Sequence, residues 1–202
     1  MKKIISKRIF DFTISVLITV LFFPIFLILI SLIKLSFSGP AIFRQKRVGK
    51  DGGEFILYKF RSMALNAPAY APKPKEDDSR ITKIGRFLRK SGLDELPQFY
   101  NVLKGDMSLV GPRPEMPFLI ETFKDRRRDR LSIKPGITGL WQISGKTKEP
   151  IYYNLEYDLY YIKNQSLFLD LKILFKTLIL FFRMLKPAIQ DCKITGNDKL
   201  CA

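Results

Sequence analysis

Histidine is absent from this chain. That excludes Ser-His-Asp and Cys-His catalysis and any zinc site with a histidine ligand. Acid–base work falls to carboxylates, lysines or tyrosines. Cysteine is nearly absent too. Cys192 and Cys201 lie in a polar C-terminal stretch, with a spacing that matches no metal motif and no disulfide framework. A reducing, cytoplasmic setting is the expectation. Tryptophan occurs once, at Trp141, placed either to fill a core or to stack on a base. Acidic residues are scarce, 19 against 35 lysines and arginines. No internal repeat is evident.

The excess of base gives a net charge of +16, which calls for an anionic partner: nucleic acid, anionic lipid or a phosphorylated substrate. The chain is long enough for one ordinary core. Apolar residues make up 47% of it, yet the mean hydropathy is +0.01, so they are concentrated. They gather near the two ends, which favours lipid and lipid-linked substrate over nucleic acid.

Phe12 to Ile33 contains no charge. As a helix it would be roughly 33 Å long, enough to cross a bilayer core. It is too long for a signal peptide and lacks a small-residue cleavage site. Hydropathy alone reads it as a plain transmembrane anchor. Two features oppose that reading. Pro24, near its centre, removes a backbone donor and crowds the preceding turn. Both flanks are basic, with Lys2, Lys3, Lys7 and Arg8 before and Lys34, Arg44, Lys46, Arg47 and Lys50 after. A bent helix entering and leaving by the cytoplasmic face satisfies both, with Ser15 and Thr19 near the freed carbonyls.

Residues 41–61 read as strand, turn and strand around the GKDGG turn at 49–53. Residues 63–80 read as a loop and 81–90 as a helix. Ser91-Gly92-Leu93-Asp94 has the form of a capping box, followed by a helix with Pro97 in its first turn. The basic run at 124–134 is either a solvated face or a phospholipid headgroup contact. KPGITG at 134–139 reads as a turn. From Leu167 to Leu185 an apolar helix carries Lys172, Lys176 and Arg183 in a narrow stripe, an interfacial pattern rather than a second spanning one.

The stretch Arg89–Pro114, RKSGLDELPQFYNVLKGDMSLVGPRP, sets Asp94 and Glu95 side by side between basic flanks. They are acids at a helix start, or a carboxylate pair for phosphate chemistry on a metal ion. A helix N-terminus also attracts phosphate, so the two readings are compatible.

This block resembles the signature of the bacterial sugar transferases, the monotopic phosphoglycosyl transferases. The likeness covers nearly the whole chain. It includes Lys7-Arg8 with Asp11, the Pro24 break, KFRSM at 59–63, LDELPQ at 93–98, NVLKGDMSLVGPRP at 101–114, KPGITGLWQ at 134–142, and Asp158, Tyr161, Asn164, Ser166 and Asp170. The family often has a small polar residue before the proline; here it is Phe23.

The resemblance implies an α+β fold, mainly helical with a small β-hairpin. It also implies a monotopic membrane protein with an N-terminal re-entrant helix-break-helix and interfacial amphipathic helices. The expected divisions are a membrane helix at 1–36, a cytoplasmic catalytic domain at 37–166, and an interfacial helix with a polar tail at 167–202. The implied reaction moves a sugar-1-phosphate from a UDP-sugar to polyprenyl phosphate, releasing UMP, with Asp94 as nucleophile. Glu95 takes a metal or proton-handling role, and the cofactor is Mg2+ held by Asp94 and Glu95. Arg89 and Arg113 are the candidate phosphate clamps, with Lys59, Arg61 and Lys146 adding positive charge. Asp158, orienting one of these cations, and Tyr161 are the supporting residues. The partners are the UDP-sugar, polyprenyl phosphate and membrane phospholipid, with no nucleic acid, on the cytoplasmic face of a bacterial inner membrane. Because the chain resembles the short family form, an N-acetylated amino sugar is the expected donor. A magnesium-dependent lipid-diphosphate phosphatase and a non-catalytic basic membrane-binding module are the competing readings.

Overall fold

The computed structural model describes residues 2–36, 39–67, 78–121, 125–146 and 154–195. Most of the expected loop (68–77) and the end of the polar tail, with Cys201, lie outside the described residues.

Helix α1, Lys2–Ser36, is one element, with Pro24, the position of the expected break, inside it. Its inner face follows helical spacing through Lys7, Asp11, Ser15, Phe22, Phe26, Leu29 and Ile33. Near its start, Lys7 Nζ lies 2.7 Å from Asp170, and Ser108 Oγ donates to Asp11 at 2.7 Å. The Arg8 guanidinium caps the carbonyls of Val102 and Leu103. Past Pro24, Leu29 and Ile33 pack with Phe60, Leu88, Leu93 and Leu96, and the Phe26 and Phe60 rings sit 5.2 Å apart. Both halves of α1 therefore rest on the same body. The opposite face, including Ile9, Val20, Leu21, Phe23 and Leu27, is exposed and apolar. The Ser15 and Thr19 hydroxyls, expected to relieve the break, are buried and find no hydrogen-bond partner among the described residues.

Strands β1 (Ile42–Val48) and β2 (Glu54–Phe60) form the expected hairpin, in register from Ile42↔Phe60 to Val48↔Glu54. Helix α2 (Lys83–Ser91) starts at Thr82, whose side chain accepts from Gly85 N at 3.0 Å, and ends at Gly92, φ +74°. That left-handed conformation costs glycine little, and it terminates helices. Ser91 is thus the end of a helix, its hydroxyl bonded back to Phe87 O, rather than the capping box expected from sequence. A 3-10 turn, Leu93–Glu95, follows, and then α3 (Gln98–Lys104), with Pro97 at its N-cap. The buried Asn101 ties α3 to β2: its Nδ2 donates to Ile56 O at 2.6 Å, and its Oδ1 accepts from Tyr58 N at 3.1 Å.

KPGITG, expected as a turn, contributes a strand. β3 (Ser108–Val110) and β4 (Gly136–Thr138) pair in parallel. Gly136 passes so close to Gly111 that a Cβ would collide with the Gly111 backbone nitrogen. Helix α4 (Pro117–Glu121), a 3-10 segment (Asp125–Ser132), α5 (Leu140–Ile143) and α6 (Leu155–Lys163) complete the body.

Helix α7, Leu167–Thr195, extends beyond the expected Leu185 through Pro187. It buries Asp170, Ile173 and Ala188 and exposes Phe168, Leu171, Phe175, Leu178 and Phe182 beside its basic stripe. Lys172 Nζ stands 4.3 Å from the centre of the Phe168 ring. An exposed apolar face bordered by lysine and arginine suits a membrane surface. One core cluster joins Phe55, Leu57, Val102, Met107, Val110, Tyr161 and Ile173. The other fastens α1 beneath the Leu93–Glu95 turn.

Candidate active site

The turn that carries the acid pair is held by its apolar neighbours. Leu93 and Leu96 are buried against α1 and α2. Gly92 reverses the chain before them. The Asp94 and Glu95 side chains remain half-buried.

Glu95 Oε1 accepts from Lys59 Nζ at 2.8 Å and from Arg113 Nη2 at 3.0 Å. Lys59 comes from β2, next to Phe60, and strand alternation sends the two side chains to opposite sides. Burial opposes ionisation of Glu95, but Lys59 and Arg113 outweigh it and hold the carboxyl well below its usual range. Asp94 behaves oppositely. Burial pushes it up to about 6, with the Glu95 charge adding to burial and Lys59, Arg89 and Arg113 opposing. Among the described residues, Asp94 takes no hydrogen bond or ion pair. One acid is thus committed as a counter-ion and the other is left free, in a positive field.

Arg89, in the last turn of α2, is half-buried and acts on Asp94 through its charge. Arg113 follows β3 on Gly111–Glu115, between two prolines. Arg61 is engaged elsewhere: its Nε donates to Pro40 O at 2.8 Å, and its guanidinium lies 5.5 Å from the Phe43 ring centre. Lys146 is exposed beyond α5 and shows no contact with the acid pair among the described residues. Asp158 is buried and receives Arg130 Nε at 2.7 Å, so its partner is a cation outside the expected set. The Tyr161 hydroxyl lies 2.6 Å from Asp170 Oδ1 and 3.0 Å from Val110 O. Burial first, then Asp170, raises its pKa, so it stays protonated in the core.

Arg130 and Glu115 escaped the sequence reading. Arg130 belongs to the run read as a solvated or headgroup face, yet it is 3% exposed. Nothing in the run of like residues singles it out. Glu115 ends the GPRPE segment and meets Arg130 Nη1 at 3.0 Å.

Among the described residues no cluster of three His, Cys, Asp or Glu side chains occurs. Two carboxylates, one with an oxygen already shared by two cations, do not make an all-protein cage. They fit a magnesium ion bound through one or two carboxylates, with substrate phosphate oxygens and water completing the shell.

The arrangement can bind a diphosphate and present a carboxylate to it. The family described as "Bacterial sugar transferase" matches residues 1–184. The galactosyl transferase CpsE of Streptococcus agalactiae is 44% identical over 87% of this chain and 42% of its own length. The UDP-glucose:undecaprenyl-phosphate glucose-1-phosphate transferase of Klebsiella pneumoniae is 44% identical over 86% of this chain and 39% of its own. The UDP-N-acetylgalactosamine-undecaprenyl-phosphate N-acetylgalactosaminephosphotransferase of Aeromonas hydrophila is 44% identical over 85% and 42%. The chain spans about two fifths of the length of these three relatives. With a match running from residue 1 into α7, and the acid pair and its cations inside it, this chain belongs to the bacterial sugar transferase family.

Proposed function

We propose that the protein transfers a sugar-1-phosphate from a UDP-sugar to polyprenyl phosphate through a covalent intermediate on Asp94. The observation that carries this reading is the division of labour in the acid pair. Glu95 is neutralised by Lys59 and Arg113, while Asp94 keeps an uncommitted carboxylate.

An Asp94 oxygen attacks the sugar-proximal phosphorus of the donor. The Asp94–phosphorus bond forms, the bridging phosphorus–oxygen bond breaks, and its electron pair leaves with UMP. A phosphate oxygen of the polyprenyl acceptor then attacks the same phosphorus and returns Asp94 to its carboxylate, releasing polyprenyl-diphosphate-sugar. Phosphoryl transfer asks mainly for positioning and charge neutralisation. Arg113 and Arg89 supply both, since a planar guanidinium matches phosphate oxygens two at a time. Glu95, fixed between its two cations, holds Lys59 and Arg113 in place rather than moving a proton. Magnesium, held by Asp94 and the free edge of Glu95, would neutralise the donor diphosphate.

The covalent step separates a soluble donor from a lipid acceptor in time. The membrane-facing surfaces support a monotopic placement on the cytoplasmic face of the bacterial inner membrane. Both halves of α1 rest on one body, and the exposed faces of α1 and α7 are apolar. Such an α1 enters and leaves by one face of the membrane, with the acid pair next to its second half. The basic surface attracts the acceptor phosphate and anionic phospholipid.

The test is UMP release across a panel of UDP-sugars with polyprenyl phosphate and magnesium. The panel compares UDP-linked N-acetylated amino sugars with UDP-glucose and UDP-galactose. One equivalent of UMP per enzyme without acceptor, and continued UMP release only with polyprenyl phosphate, sustains transfer through the covalent intermediate. Steady UMP formation with water as the sole acceptor points to a phosphatase instead.

A further inference from the structure

Arg130 touches neither acid of the pair. It lies 2% exposed at its side chain, deep in a chain whose other cations are mostly at the surface. A buried guanidinium is costly unless each edge finds an acceptor. Here each edge does. Nε donates to Asp158 Oδ2 at 2.7 Å, Nη1 to Glu115 Oε1 at 3.0 Å, and Nη2 to the backbone carbonyl of Arg113 at 3.1 Å. The last contact links Arg130 to the acid pair, because the side chain of that same Arg113 reaches Glu95.

The segment needs such a contact. Pro112 and Pro114 flank Arg113, and neither has an N–H to give. The stretch is therefore short of donors of its own and is held largely through its carbonyls, by donors from other elements. Pro112 O accepts from Gly136 N at 2.9 Å, Arg113 O from Arg130, Pro114 O from Arg47 Nη1 at 3.3 Å, and Glu115 O from Val48 N at 2.9 Å. Three of these four carbonyls are held through β1 and β4. The fourth is held by Arg130 from the 3-10 segment Asp125–Ser132 and, through Asp158, from α6.

We infer that Arg130 is a positioning residue for the phosphate site: its fork sets the backbone of Arg113 from behind, and so the place where the Arg113 guanidinium meets Glu95 and the donor diphosphate. The inference rests on the proposed function for its consequence in turnover, and on geometry alone for the placement of Arg113. Lysine is no substitute, because a single ammonium cannot serve three acceptors spread around a plane.

Two measurements on the full chain in detergent or nanodiscs test it. The first is a double-mutant cycle with Arg113→Ala. Arg130→Lys should lower kcat by about tenfold to a hundredfold, the scale of a small misplacement of a positioning group. In the Arg113→Ala background the same change should have almost no further effect. Equal losses in both backgrounds, or unchanged turnover of Arg130→Lys, overturn the inference. The second is side-chain 15N NMR of the Arg113 Nε–H, assigned by its disappearance in Arg113→Lys, without any substrate. Arg130→Lys should shift or broaden that signal, and an unmoved signal overturns the inference. This reading holds even if the wild type turns over no UDP-sugar, so the two failures are distinguishable. If Arg130→Lys does not fold, Glu115→Gln enters both experiments with the same expected and overturning results, since it weakens one arm of the fork at constant size.

Discussion

Lys59 and Arg113 converge on a single oxygen, Glu95 Oε1, at 2.8 and 3.0 Å, although 53 positions separate them along the chain. One comes from the β-hairpin, the other from the proline-flanked segment after β3. In the proposed reaction, their meeting gives the acid pair its roles. A carboxylate with two cations on one oxygen is a poor base and a poor nucleophile, because its charge is already stabilised. The neighbouring Asp94 shares the positive field without giving its oxygens to it.

Asp94→Asn is accordingly expected to remove turnover and the covalent adduct together. Intact-mass measurement with UDP-sugar and magnesium, without acceptor, should show a phosphosugar on the wild type and none on the variant. A label mapping to another residue, or substantial turnover by Asp94→Asn, would sink the assignment.

The raised pKa of Asp94 gives a direction in pH. The attacking form is the carboxylate, so the rate of adduct formation should fall as pH drops through about 6. The linked stability runs the other way. Folding favours the protonated acid, so this group's stabilisation is complete below the ordinary 3.8 and is lost as pH rises through about 6. Asn at 94 removes that loss. The melting temperature of Asp94→Asn should exceed that of the wild type at pH 7.5, with a smaller gap at pH 5. A gap that widens toward acid would contradict the burial argument.

The clamps should separate by geometry. Arg113→Ala and Arg89→Ala are each expected to lower kcat strongly in a folded protein, by about a hundredfold for Arg113, the scale of losing one preorganised charge at the transition state. Lysine at 113 should restore only part, because it loses the planar fork. Near-normal turnover in a folded Arg113→Ala protein would remove Arg113 from the site.

What the sequence made legible follows from periodicity and local chemistry. The hairpin showed in the alternation of Glu54–Phe60 and its turn glycines, and α2 in the spacing of Ile84, Phe87 and Leu88. The acid pair stood out because it interrupts a basic block. Long-range pairing did not show. A three-residue parallel strand at Gly136–Thr138 has no period to detect, and its glycine signals a close crossing as readily as a turn. Ser91 fits a helix start in sequence, but the left-handed Gly92 makes it a helix end. Asp158 was expected beside one of the candidate clamps. Which arginine it meets depends on the approach of α6 to the 3-10 segment, a tertiary fact that no local pattern encodes.

Lys7, Arg8 and Asp11 near the start of α1 and Leu29 and Ile33 near its end all contact the same body. A helix perpendicular to the bilayer cannot reach one cytoplasmic domain with both ends. Lys3→Cys and Ser36→Cys, each introduced into a Cys192→Ser, Cys201→Ser background, should therefore resist an impermeant thiol reagent added outside intact cells. Both should react after permeabilisation. Efficient external labelling at either position would establish a spanning anchor instead. Pro24→Ala restores a backbone donor at the middle of the helix and removes the ring's clash with the preceding turn. It should favour a straight, spanning path and draw Leu29 and Ile33 away from Leu93 and Leu96. The turn carrying Asp94 is packed on those residues, so transfer to the lipid acceptor should fall together with the change in labelling. If Pro24→Ala alters neither labelling nor transfer, α1 does not set the position of Asp94 at the membrane surface.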